Sequence, residues 1–257
     1  MTAEIIALVN RSGGVGKSTT AHTLGAGLSH RGFKVLLIDF DSQCNLTFFA
    51  GAISKAPTSW EVLTGSATAR EAIQHTKSGD VIPASPQLDL ANTEIQGERK
   101  EYRIKDALAP IAGEYDYIFI DTPPSLGAIM VNALTASDSC IIPAHAEAKS
   151  VQGLPLAIDV IKATRQHSNP ALTIKGILIT DYEGGTNLAR SMRKQIEEIA
   201  DQLGTKVYSP IRHYTAMKEA QAMQQDIFSY APRENIAHDY HTVIEDILTE
   251  SDTMKRD

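Results

Sequence analysis

Eight residues, Ser12-Gly13-Gly14-Val15-Gly16-Lys17-Ser18-Thr19, follow the apolar run Ile5-Ile6-Ala7-Leu8-Val9 and open an alanine-rich helical pattern. A strand that turns through glycines straight into a helix has few folds open to it. The glycines let backbone N–H groups face inward, and the helix brings its positive dipole end to the same point. Gly13, Gly14 and Gly16 suit a loop closed around phosphate oxygens, Lys17 supplies a cation, and Ser18 offers a hydroxyl to Mg²⁺. The general pattern G-x-x-x-x-G-K-[ST] is met only in its second half, because Arg11 stands where its first glycine would. A plain glycine-rich turn is the competing reading; the order strand, glycines, Lys-Ser, helix weighs against it.

The later apolar runs set the fold class. Val35 to Phe40, Ile118-Phe119-Ile120 and Cys140-Ile141-Ile142 show no alternation, as parallel strands covered on both faces should. Helical patterns separate them, so the chain reads as α/β, a doubly wound, mostly parallel sheet with helices on both faces. Further strands are expected over 81–84, 174–180 and 205–209. Helices are expected over 18–30, 126–136, 151–165, 187–203 and 236–249, with a small helical insertion within 51–75. A segment from Leu88 runs on into a helix ending at Leu108, with Ile104, Leu108 and Ile111 on one core-facing stripe. Residues 144–150 read as a loop, and Pro155 fits only near the first turn of the helix that follows. With 257 residues, 42% of them hydrophobic, the chain is expected to form one domain over 1–257.

Composition narrows the function classes. Cys44 and Cys140 lie in separate segments and read as reduced thiols rather than a metal site. No stretch resembles a signal peptide or a spanning helix, so a cytoplasmic protein is expected. The net charge is −7, yet residues 160–233 carry 10 Lys/Arg against 7 Asp/Glu. That local excess suits salt-sensitive contact with DNA phosphates or, equally, a mixed solvated surface.

Phosphoryl transfer needs charge placement more than covalent chemistry, which directs attention to carboxylates at strand ends. Asp39 and Asp41 close one apolar strand and Asp121 another, at the sheet edge where open α/β folds bind ligands. Ser18, Asp39 and Asp121 form the candidate Mg²⁺ set. Helix capping is the alternative use of such aspartates.

Taken together, these motifs resemble the ParA/MinD ATPases, whose deviant Walker A motif reads K-G-G-x-x-G-K-[ST]. The likeness recurs in Val35-Leu36-Leu37-Ile38-Asp39-Phe40-Asp41-Ser42-Gln43, in Tyr115 to Pro124, and in Ser209-Pro210-Ile211-Arg212. It implies ATP and Mg²⁺ as cofactors, hydrolysis to ADP and phosphate, and a homodimer formed with ATP. By the same resemblance Ser12 to Thr19 surround the phosphates, Asp39 positions the attacking water, and Asp41 belongs to a nucleotide-sensing switch. Asp181, Pro210 and Arg212 are expected around the base. The family's first lysine is Ser12 here, so another cation is needed. Lys149, expected on the loop after strand 140–143, is the favoured candidate and Arg11 the alternative. Serine at that position resembles the McdA branch, which positions carboxysomes over the nucleoid. In ParA proteins the C-terminal half binds double-stranded DNA without sequence preference, which points to Arg190, Arg193, Lys194, Arg212 and Lys218. Glu197 and Glu198 allow the bland alternative of ion pairs within the helix. A cargo adaptor, McdB-like or ParB-like, is implied. The tail over 246–257 is acidic apart from Lys255 and Arg256, unlike the membrane-binding helix of MinD-like members, so nucleoid association and no membrane are expected. Plasmid or chromosome partition is the alternative cargo. A metabolic P-loop enzyme of the dethiobiotin synthetase type is the alternative class. An iron–sulfur reductase resembling nitrogenase iron protein lacks its paired cysteines here.

Overall fold

The protein, described over residues 2–254 by a computed structural model, is built on one seven-stranded sheet. Lys255 and Arg256, invoked above for the tail, lie outside the described residues. The strands are β1 (Glu4–Leu8), β2 (Val35–Asp39), β3 (Gln74–Thr76), β4 (Gly79–Ile82), β5 (Tyr117–Asp121), β6 (Ser139–His145) and β7 (Thr173–Thr180). Their order is β3-β4-β2-β5-β1-β6-β7, and every neighbouring pair is parallel except β3 with β4. The doubly wound fold expected from the apolar runs is therefore the fold observed.

Burial explains those runs. Every residue of β2 and β5 is buried, with side chains alternating between two cores. Leu36, Ile38, Ile118 and Ile120 face one, and Leu37, Phe119, Ile6 and Leu8 the other. Helix α1 (Lys17–Ser29) lies on the second face and is buried along most of its length. It can approach because Gly25 has no side chain: a Cβ there would stand 2.6 Å from Leu37 Cδ2. After α2 (Asn45–Phe49), helices α3 (Ser59–Thr64) and α4 (Ala69–Ala72) form the expected insertion. Thr58 and Thr68 cap these two helices, each paired with a glutamate three residues on.

The remaining helices are α5 (Ala91–Glu94), α6 (Arg103–Leu108), α7 (Ala128–Ala136), α8 (Ala148–His167), α9 (Asn187–Leu203), α10 (Thr215–Ala222), α11 (Ile227–Tyr230) and α12 (Asn235–Met254). Ile104, Leu108 and Ile111 are buried as their spacing predicts. The segment from Leu88 is not continuous, however; 3-10 turns and Arg99 in a left-handed conformation break it before α6.

Three further expectations are corrected. Residues 144–150 are not a loop, because β6 runs on to His145 and α8 begins at Ala148. Lys149 therefore stands in the first turn of a helix, and Pro155 lies inside α8 rather than near its start. Its ring is exposed, so the helix meets the missing N–H on its solvent side. Residues 205–209 run beside β7 with only the bridge of Ile177 to Val207; Pro210, lacking an N–H, cannot extend a ladder. No described helix is long and apolar enough to cross a membrane.

Candidate active site

The register of β1, β5 and β2 sets Leu8, Asp121 and Asp39 level at the carboxyl edge of the sheet. The glycine loop leaves β1 at that edge. Asn10 shapes it, donating from Nδ2 to the Pro143 carbonyl at 2.6 Å while Oδ1 accepts from the Ser12 N–H at 2.9 Å. Gly16, at φ +77°, is the N-cap of α1 and offers no side-chain cap, so the helix opens toward the loop with the first-turn N–H groups that have no partner inside a helix. Thr180, at the end of β7, closes the far side by donating to the Val15 carbonyl at 3.0 Å. Its side chain sits 3.6 Å from where a Gly16 Cβ would lie.

Lys17 is 6% exposed, and its Nζ donates to the Ser12 carbonyl at 3.1 Å, folding the ammonium over the loop. Burial pulls its pKa down, while the charges of Asp121 and Asp41 pull it back up. Asp121 is fully buried; among the described residues neither of its carboxylate oxygens has a partner of full hydrogen-bond geometry, although the Ser18 hydroxyl lies near enough to act on it. Its pKa stands well above the usual carboxylate range, raised first by burial and then by the charge of Asp39, with Ser18 and Lys17 opposing. Two buried carboxylate oxygens short of hydrogen bonds, beside a lysine and a serine hydroxyl, have the chemistry of a divalent-cation site.

Asp39 is arranged differently. Its Oδ2 accepts from the Thr47 N–H at 2.8 Å and from the Thr47 hydroxyl at 2.7 Å, and its Oδ1 accepts from the Asp41 N–H at 3.0 Å. Burial pushes its pKa up to about 6 against those bonds. Asp41 is 8% exposed and turns the chain by accepting from the Gln43 N–H at 3.0 Å. Among the described residues no group of three His, Cys, Asp or Glu side chains is set to hold a metal ion alone. Mg²⁺ commonly takes one or two protein ligands and completes its shell with water and substrate phosphates, and Asp121 with Ser18 fits that pattern.

Beside the loop a cleft of about 150 Å³ is lined by Gly14, Gly16 and Thr19 on one wall and by Thr180, Asp181 and Arg212 on another. Asp181 takes a left-handed φ of 55°, and its carboxylate pairs with the His213 ring. Pro210 is not part of the lining, although it leads directly into Ile211 and Arg212, which are. The remaining walls went unread in the sequence. His145 ends β6 there, and Tyr214, Met217 and Gln221 reach the cleft from α10 and its lead-in. Gln221 Nε2 donates to Thr19 Oγ1 at 2.8 Å across 202 positions of sequence.

The basic residues named for DNA contact each have a local partner or place. Arg193 pairs with Glu197 at 2.7 Å and Lys194 with Glu198 at 3.9 Å, while Arg190 bonds Asn187 Oδ1 at 2.6 Å. Arg212 makes a two-pronged pair with Asp239, and Lys218 lines the cleft. Lys149 is exposed. One helical turn further on, Gly153 lies so near the loop that a Cβ would stand 2.8 Å from Ser12 Oγ. The first turns of α8 thus flank the serine that replaces lysine.

A family model described as an AAA domain matches residues 3–174. The chain is 39% identical over 244 residues to the sporulation initiation inhibitor protein Soj of Bacillus subtilis, covering 92% of this chain and 95% of Soj. Among solved structures it resembles apo McdA of Cyanothece with a TM-score of 0.87 at 26% identity, over 95% of this chain and 99% of that one. It also resembles cobyrinic acid a,c-diamide synthase from Mycobacterium smegmatis with bound ADP and magnesium, with a TM-score of 0.77 at 32% identity, over 90% and 97% of the two chains.

Proposed function

The chain belongs to the ParA/Soj family of partition ATPases, and from that premise we propose that it binds ATP with Mg²⁺, dimerises, hydrolyses ATP, and in its ATP form holds nonspecific DNA. It then positions or segregates a cargo such as carboxysomes through an adaptor, McdB-like or ParB-like, that stimulates hydrolysis. Plasmid or chromosome partition is the alternative cargo. Asp121, buried near Lys17 and Ser18 with its oxygens short of hydrogen bonds among the described residues, carries the nucleotide reading.

Ser18 and Asp121 would hold Mg²⁺ together with the phosphates, and the ion would neutralise charge developing on them. The chain's own groups do the rest. Gly13, Gly14, Val15 and Gly16 present N–H groups, α1 adds its dipole, and Lys17 swings from the Ser12 carbonyl to a phosphate oxygen. Asp39 accepts a hydrogen bond from the attacking water and aims it, and Asp41 carries the switch. Asp181 and Arg212 border the base. Asp39→Ala is therefore expected to keep ATP binding while its hydrolysis rate falls about 10²-fold, trapping the dimer. Light scattering with ATP checks this, and a monomer would end the dimer-switch reading.

Lys149 is the proposed replacement for the absent lysine, supported by the seat of α8 against Ser12. A cation there forms charge-assisted bonds that serine cannot. Lys149→Ala is expected to lose ATP affinity or ATP-driven dimerisation by about tenfold, and Arg11→Ala neither. Nucleotide titration and sedimentation of both variants decide between them.

DNA contact falls to Arg190, Arg193 and Lys194, since Arg212 is held by Asp239 and Lys218 faces the cleft. The exposed pairs to Glu197 and Glu198 are weak enough for phosphates to displace. Arg190→Ala with Arg193→Ala should flatten the salt dependence of duplex binding by about one unit of slope per lost contact. The ATPase rate with and without nonspecific duplex, at two salt concentrations, tests the whole reading. Turnover on a small substrate and indifference to DNA would favour the synthetase alternative, which the likeness to cobyrinic acid a,c-diamide synthase keeps in play.

A further inference from the structure

We infer that Thr47 is a positioning residue that locks the Asp39 carboxylate, leaving Oδ1 to hold the attacking water and tying its orientation to the end of β4. The inference rests on the hydrolysis reading above and adds to it the device that aims Asp39. Thr47 is buried, and its hydroxyl is used twice: it donates to Asp39 Oδ2 at 2.7 Å and accepts from the Ala84 N–H at 2.8 Å. Its backbone N–H donates to the same Oδ2 at 2.8 Å. Each carboxylate oxygen accepts about two hydrogen bonds, so Oδ2 is filled by Thr47 alone. Among the described residues Oδ1 holds only the Asp41 N–H and keeps one acceptor position. The main chain is braced at the same place, where Ser59 Oγ donates to the Asp39 carbonyl at 2.6 Å.

A carboxylate's last torsion is broad and weakly held by its own bonds, so neighbours decide which oxygen faces the reaction. The Thr47 hydroxyl makes the shortest of the three bonds that hold it here, the other two coming from the Thr47 and Asp41 N–H groups. The backbone bond has a different use: Thr47 is the third residue of α2, whose own N-cap, Cys44, makes no side-chain cap bond. Asp39 thereby caps that helix from a distance. A substitution that removes the hydroxyl and keeps the backbone N–H separates the two uses.

Thr47→Val does so at nearly constant volume. With Mg-ATP, its kcat is expected to fall about tenfold to a hundredfold while KM changes by no more than about threefold, because orientation rather than binding is lost. Thr47→Ser, which restores the hydroxyl, is expected to recover most of kcat. A parent-like kcat for Thr47→Val alongside a defective Asp39→Ala overturns the inference, as does a Thr47→Ser variant as slow as Thr47→Val. If Thr47→Val does not fold, Thr47→Cys, with a weaker donor of similar size, takes its place, and a parent-like kcat for it has the same meaning. Should Asp39→Ala itself hydrolyse ATP like the parent, the hydrolysis reading has failed instead, and the Thr47 variants are then parent-like too.

Discussion

Lys17→Ala is expected to lower ATP affinity by about 10³-fold, on the order of 4 kcal/mol, while the protein still folds. The size follows from where the ammonium sits. Lys17 is nearly buried, and burial already lowers its pKa, so the folded chain spends stability to keep a cation at the head of α1. Its hydrogen bond in this structure, to the Ser12 carbonyl, is one that a phosphate oxygen improves on, because both partners are then charged. Removing the ammonium takes a cation from the loop proposed to hold the phosphates and leaves Asp121 without an opposing charge. The loop itself stays, since Asn10 and Thr180 hold it. Isothermal titration of ATP, with a thermal melt as the control for folding, measures the loss; affinity within tenfold of the parent would remove Lys17 from the site.

Much of the site is legible in the sequence because its parts end apolar runs. A strand buried on both faces leaves no doubt about where its first carboxylate falls, and Asp39 and Asp121 lie level in the register for that reason. What resists reading depends on long-range return. Nothing around Met217 or Gln221 signals that α10 closes on Thr19, because a short helix with one apolar stripe looks the same wherever it packs. The small residues Ala144, Ala146 and Ala148 read as a loop, yet they let β6 run on and α8 begin early, which moves Lys149 onto a helix. The β3–β4 hairpin is hidden in polar residues around Gly79, whose φ of +106° only glycine readily takes. The capping boxes at Thr58 and Thr68 are the opposite case, where four residues suffice to mark a helix start.

Asp121→Asn is expected to make the nucleotide-free protein more stable and the nucleotide-bound protein less so. Asp121 is fully buried, its oxygens lack partners of full hydrogen-bond geometry among the described residues, and its pKa lies well above the usual carboxylate range. A carboxyl group whose pKa is raised on folding contributes stability below its unfolded pKa and loses it as pH rises through the folded one. At pH 8, far above the pKa of an unfolded aspartate, the parent therefore carries the cost of keeping this carboxyl group in a buried site, and the neutral amide should recover about 2 kcal/mol of it. Below pH 4 the parent's Asp121 is protonated, and the gain from Asn should vanish. Asp39, pushed up to about 6, adds its own decline through that pH in both proteins, and because its charge acts on Asp121 the two proteins are compared at pH 8 and below pH 4, on either side of that range. With Mg-ATP the order should reverse. A ligand that binds the folded state adds stability that grows with the logarithm of its concentration over Kd, and the variant lacks the carboxylate proposed to hold Mg²⁺. Melting temperatures of both proteins in chelator and in Mg-ATP, each at two pH values, give the full comparison. A variant less stable than the parent in chelator at pH 8 would mean that Asp121 is paired by something other than a cation. The same carboxylate that weakens the empty fold would otherwise be the group through which nucleotide and metal tighten it.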